Sequence, residues 1–228
     1  MPRTLAVTTA VAAAALLSAC ASTPPSGPMS FFVTSAGLGN GADLGGLPGA
    51  DAHCQKLAAA VGAGSRTWRA YLSVPGVGAT PTAPAVPQVD ARSRIGNGPW
   101  FNVRGELVAA SVADLHEGHD KLTKATAIDE RGAGVNGVGD QPNQHDILTG
   151  SRPDGTAFSP RGDTTCRAWT SSSDEAGHAA VVGHSDRRGL VDAPWARSWN
   201  FAHPTAGCSQ RALVSTGGAG RFYCFASN

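Results

Sequence analysis

The residues that could do chemistry in this chain are few, and the cysteines come first. Five are present: Cys20, Cys54, Cys166, Cys208 and Cys224. Cys20 closes an apolar stretch, Leu5 to Leu17 followed by Ser18-Ala19, that carries no charge. Such a run is too short to cross a bilayer and fits the h-region of an export signal. In an exported chain the other four cysteines imply two disulfides, with three connectivities open. No Cys-x-x-Cys pair occurs, which argues against a zinc ribbon or a thioredoxin-like redox site.

The remaining polar groups select no reaction. His116, Glu117, His119 and Asp120 lie close together, but a zinc-protease helix needs its histidines at i and i+4. The segment reads as a solvated polar loop. Gly183-His184-Ser185-Asp186-Arg187 lacks the final glycine of a nucleophile elbow, and no Ser, His and Asp spacing marks a triad. The carboxylates are too scattered to nominate an acid–base pair. Arg187 and Arg188 are adjacent, and arginine suits sulfate or carboxylate recognition. Residues 151–228 hold 8 Arg against 6 acidic residues, an excess of two that an ordinary solvated surface also shows.

Composition bounds the rest. Removing residues 1–19 leaves 17 basic and 17 acidic residues, so nucleic acid is not an expected partner. Gly and Pro total 44 without a period, which indicates a loop-rich globule of one domain. Phe31-Phe32-Val33 reads as a strand. A helix opens at Asp51 and closes at Gly62, with Cys54, Leu57, Ala58 and Val61 on one apolar face. Trp68, Ala70 and Leu72 alternate with Arg69, Tyr71 and Ser73 as a half-buried strand. Residues 74–89 are a proline-rich surface loop, and Ile95–Val108 forms a hairpin around Asn102–Gly105. The polar, glycine-rich stretch Ala113–Gln144 reads as loop, with His145 at its end. Short strands follow near Cys166–Thr170, Ala179–Val182 and Arg221–Ala226.

Two resemblances add to this reading. Leu17-Ser-Ala-Cys20 resembles the lipobox of bacterial lipoproteins, which implies lipidation of Cys20 as the new N-terminus. Several acyl chains on one cysteine anchor firmly. The stretches RTWRAYLSV (66–74), SRIGNGPWFNVRGELV (93–108), ILTGSRPDGT (147–156), TTCRAWTS (164–171) and CSQRALVSTGGAGRFYCFA (208–226) resemble the endostatin domain in order and approximate spacing. That family implies an α+β, C-type-lectin-like fold: a twisted, mostly antiparallel sheet with one or two helices and long loops. It also implies nested disulfides, here Cys54–Cys224 and Cys166–Cys208. Endostatin's N-terminal zinc does not carry over, because no matching histidine cluster is present. Its heparan sulfate binding makes Arg187 and Arg188 the candidate ligand-binding residues.

Trp199-Asn200-Phe201, shortly before Cys208, resembles the Trp-Asn-Asp triplet of calcium-dependent lectins. Phe201 brings no oxygen where that triplet has a carboxylate. Gln141-Pro142-Asn143 resembles the other half of the lectin signature but again lacks a carboxylate. Asp140, Asn143 and Asn200 are the residues that would hold a calcium ion if one bound, with Asp146 nearby. The preferred reading puts Trp199 in the core and Asn200 on backbone groups, with no metal and no cofactor.

The sequence therefore leads to three segments: a lipoprotein signal peptide (1–19), a lipidated Cys20 with a flexible tether (20–30), and an endostatin-like, C-type-lectin-like domain (31–228). The expected protein is anchored in the bacterial cell envelope, in the outer membrane where the host has one. Its expected role is non-catalytic binding of a glycan or a surface protein. The alternatives are a cell-wall hydrolase on the same scaffold and a structural envelope protein without a soluble ligand.

Overall fold

The computed structural model describes residue 1 and residues 27–82, 84–159 and 162–228. Cys20 and most of the tether lie outside the described residues. The elements in chain order are β1 (Phe31–Val33), α1 (Gly46–Ala60), β2 (Trp68–Ala70), β3 (Trp100–Phe101), β4 (Leu107–Ala109), α2 (Val112–His116), β5 (Asp146–Leu148), α3 (Cys166–Trp169), β6 (Val181–His184), β7 (His203–Pro204), α4 (Gln210–Ser215) and β8 (Gly218–Ala226). The class is α+β. One sheet runs β1-β8-β5-β6-β7, with β2 also on β8, and β3–β4 form a separate hairpin. All pairings are antiparallel except β5 with β8.

Side chains alternate across β8 and divide the core in two. Phe222, Cys224 and Ala226 join Phe32, Trp68, Ala70 and Leu148 under α1. Tyr223 and Phe225 join Phe31, Tyr71, Ile147 and Trp199 on the other face. Both faces are covered, so Tyr71 and Ser73 are buried where the alternating pattern predicts exposure. The hairpin and α2 supply that second cover: Trp100, Val108 and Leu115 belong to the same cluster.

Helix α1 begins five residues before the expected Asp51. Pro48 falls in its first turn, where no backbone N–H is needed. Small residues, Ala50, Cys54 and Ala58, form the fully buried stripe, while Leu57 is only half-buried and Val61 exposed. Asp51 is thus inside the helix and buried. It accepts from both Arg94 Nη2 (2.7 and 2.9 Å) and Arg69 Nη1 (2.8 Å), and from the Ala70 N–H (2.9 Å). The disulfides are Cys54–Cys224, which ties α1 to β8, and Cys166–Cys208. Both match the nested pattern that the resemblance implies.

Two stretches differ from expectation. Inside the presumed loop 113–144, α2 forms because Ser111 accepts from the Asp114 N–H while Asp114 accepts from the Ala110 N–H, a short reciprocal cap. The strand expected near Cys166–Thr170 is instead a left-handed turn: Cys166, Arg167, Ala168 and Trp169 all have φ between 48° and 67°. Its neighbours over-determine it. Asp163 accepts from the Thr165 and Arg167 N–H groups, and Thr165 accepts from the Ala168 N–H. Trp169 is buried and donates to Ser73 O, and Cys166 is held by its disulfide.

Left-handed backbone costs an L-residue roughly 1–2 kcal/mol. Ala168→Gly is therefore expected to stabilise the domain by about 1 kcal/mol, read as a higher denaturant midpoint. A lower midpoint would show that the turn is not strained at this residue.

Candidate metal centre

Strand register builds the site. The β5–β6 ladder puts Asp146 directly opposite His184. The β6–β7 ladder puts His203 opposite Val182, one step along the same face. Gly183 lets this happen, because a Cβ there would lie 1.9 Å from Trp199 O, so only glycine admits the chain passing behind β6. His145 enters from just before β5 and stacks on His184, with ring centroids 4.2 Å apart and planes within 7°.

Three imidazoles converge on one carboxylate oxygen. His145 Nε2 and His184 Nε2 are each 3.3 Å from Asp146 Oδ1, and His203 Nε2 is 3.6 Å away. Every ring has its other nitrogen committed. His145 Nδ1 donates to Asp186 Oδ1 (2.8 Å), His184 Nδ1 to Ala196 O (2.7 Å) and His203 Nδ1 to Pro204 O (3.0 Å). Carbonyl and carboxylate oxygens only accept, so in the neutral rings all three Nε2 atoms present lone pairs to Asp146. None of these contacts has hydrogen-bond geometry. Both Asp146 oxygens and His184 Nε2 are buried with no hydrogen-bond partner among the described residues.

A buried carboxylate facing lone pairs is unfavourable unless a positive charge lies between them. A proton on one ring could supply it, but the other two ring nitrogens would still face the carboxylate unprotonated, and a second proton on the stacked His145–His184 pair at 4.2 Å would be repelled. A metal ion fits better. Zinc binds nitrogen and oxygen at about 2.0–2.2 Å, which makes the edge of its ligand tetrahedron about 3.3–3.6 Å. The observed 3.3, 3.3 and 3.6 Å are edges of that size. The donor atoms of His145, Asp146 and His184 lie within 4.8 Å of one another; His203 is not in that group and reaches only Asp146 Oδ1, so it stands beside the cluster. The second nitrogens are anchored as metal-bound histidines require. Two nitrogens and one oxygen, with a third imidazole beside them, suit zinc and its transition-metal neighbours, whereas calcium needs an all-oxygen shell.

The electrostatics favour a positive charge beside Asp146. Burial raises the Asp146 carboxyl pKa, but donation from His184 and His203 and the charge of His203 and His145, when these rings are protonated, outweigh it and hold the group below the ordinary carboxylate range. Its contact with Asp146 raises the His203 imidazole. Burial also opposes ionisation of Asp186, yet the hydrogen bonds from His145 and the Val138 N–H bring it to about 2. Asp186 is thus a fixed anion behind His145.

The residues singled out in the sequence are placed elsewhere. Asn200 is buried, donates to Tyr71 Oη, Arg152 O and Pro153 O, and accepts from Ser198 Oγ. Trp199 is buried against Tyr71 and Tyr223 and donates to Leu115 O. Asp140 pairs with Lys124 and accepts from the Gly137 N–H. Asn143 accepts from the His145 N–H. Asp140 and Asn143 line one cavity and Asn200 another, so the three form no joint calcium shell. Arg187 and Arg188 are not a pair: Arg187 is bound to Asp120 and to Leu122 O, and only Arg188 is exposed. The stretch read as a solvated loop is partly inside, since His116 bonds Tyr71 Oη (2.7 Å) and the Asp120 side chain is buried.

Sequence reasoning missed the centre. By sequence His145 reads as a loop end, and the segment supplying His184 and Asp186 reads only as an incomplete serine elbow. The one available signal is that His145, His184 and His203 fall in or beside short apolar segments, a feature His116 and His178 share. No protein-family model matches this chain, and no curated protein matches it significantly.

The lectin-like triplet acts as core. Trp199→Ala is expected to cost about 3–5 kcal/mol, and Asn200→Ala about 1–3 kcal/mol through unpaired buried groups. Thermal melts of both variants check this, and added calcium should leave the wild-type melt unchanged.

Proposed function

We propose that this chain is an exported, metal-binding module that holds a divalent ion of the zinc class on His145, Asp146 and His184, with His203 beside them. The observation that carries the reading is the buried Asp146 carboxylate, unbonded and faced by three imidazole nitrogens at 3.3–3.6 Å. On this reading the domain belongs to the C-type-lectin-like architecture that its motifs resemble, and an acylated Cys20 tethers it to the bacterial envelope. No helix among the described residues is long and apolar enough to cross a membrane.

The role is binding, not catalysis. A metal hydrolase needs a base beside its bound water. Of the acids at the centre, Asp146 is a ligand, Asp186 is occupied by His145 and two backbone N–H groups, and Asp140 by Lys124. A glycan or surface protein remains the proposed partner class.

Zinc at a hundred times its dissociation constant should stabilise the purified protein by about 2.7 kcal/mol, seen as a rise in melting temperature with one ion bound per chain. Asp146→Asn removes the anionic ligand and should abolish the zinc response while leaving a folded protein in chelator. An unchanged wild-type melt in zinc and in chelator would overturn the metal reading. For the anchor, Cys20→Ser should move the protein from the membrane to the soluble fraction. Membrane retention of that variant would refute lipidation as the attachment.

A further inference from the structure

The metal centre opens on one side into a cavity of about 630 Å³. His145, His184 and His203 line this cavity and Asp146 does not. The carboxylate therefore lies behind the ion and the cavity in front of it. The four donors are also unequal. The side chains of Asp146, His184 and His145 are 0%, 3% and 6% exposed, whereas His203 is 30% exposed and makes the longest contact. The three clustered donors are fixed in the interior, and His203 stands beside them at the mouth. Zinc can expand from four to five ligands, so a group entering from the cavity can bind beside His203 or in its place.

The walls say what that group is. Val138, Leu190, Val191, Trp195 and Ala196 form an apolar side, and Leu190, Val191 and Trp195 are solvent-exposed. Among the described residues no lysine or arginine lines the cavity, and its one further acid, Asp140, is paired with Lys124. A divalent ion with a single carboxylate ligand keeps one positive charge in its ligand shell, offset in part by the Asp186 anion behind His145, so it attracts at most one further anionic group. One charge matches one anionic group. A phosphate, a sulfate or a polyanion would find no second cation there. The volume is that of a small-molecule site.

We infer that the cavity in front of the metal centre binds an organic monocarboxylate, its carboxylate oxygen coordinating the ion and its apolar body packing on Trp195, Leu190 and Val191. This rests on the metal reading above and names the ligand of that same site. The loop carrying Trp195 is coupled to the centre directly, because the next residue's carbonyl, Ala196 O, accepts from His184 Nδ1. The uncharged side chains Asn143, Gln141, Ser215 and Thr216 on the opposite wall can accept or donate to polar substituents.

The test uses the cobalt-loaded protein, whose visible absorption reports its coordination shell. Acetate, 3-phenylpropionate and phosphate are titrated in turn. We expect 3-phenylpropionate to change the cobalt bands and to bind at least tenfold tighter than acetate, with phosphate weaker than both. Trp195→Ala should lose that tenfold preference while keeping cobalt affinity and the acetate response. Bands indifferent to both carboxylates, equal affinity for the two, or tightest binding by phosphate would each overturn the inference while leaving the metal reading in place. A chain that takes up no cobalt and no zinc ends both.

Discussion

The architecture depends on β8. Its nine residues are the only long strand among the described residues, and they hydrogen-bond β1, β2 and β5. The strands around it have two to four residues each, too short to hold a sheet by themselves. Alternation along β8 assigns one set of aromatic side chains to each core, and Cys224 bolts α1 to its end. The parallel register of β5, with Asp146 beside Gly218, follows from the same strand. An error of one residue there would turn Asp146 away from His184.

A sheet end built in this way accepts a costly residue. Burying a carboxylate without hydrogen bonds is expensive, and a fold tolerates it where a ligand offsets the cost. The anchoring of the three imidazoles by Asp186, Ala196 O and Pro204 O indicates that the rings are held in orientation before any ion arrives. Their positions are fixed by backbone and by buried neighbours, as a preorganised site requires. The left-handed turn at Cys166–Trp169 is a second unfavourable feature, offset by a disulfide, a buried indole and three side-chain caps.

The two chemical readings of the sequence fare differently in three dimensions. Trp199 and Asn200 look like half of a lectin calcium site, yet every polar atom of the Asn200 side chain is bonded within the protein. Asp146, named only as a neighbour of that site, has both carboxylate oxygens buried and unbonded. The distinction between a ligand-ready group and a structural one is thus one of satisfaction, which no spacing rule reports.

Local physics was legible in the residues alone. The strand at Phe31–Val33, the hairpin after Ile95, the helix carrying Cys54 and the final strand are each set by short-range pattern, and each forms near its expected place. The Ser111 and Asp114 cap was also readable, and polarity around it hid the helix. The left-handed turn was not, because its residues have no glycine and only tertiary contacts force it. The metal centre was least legible of all. His145, His184 and His203 come from three segments far apart in the chain, and what unites them is strand register between those segments. Residue types and nearby spacing fix propensity and cap chemistry. Which lone pairs meet at one oxygen is decided only when distant strands pair.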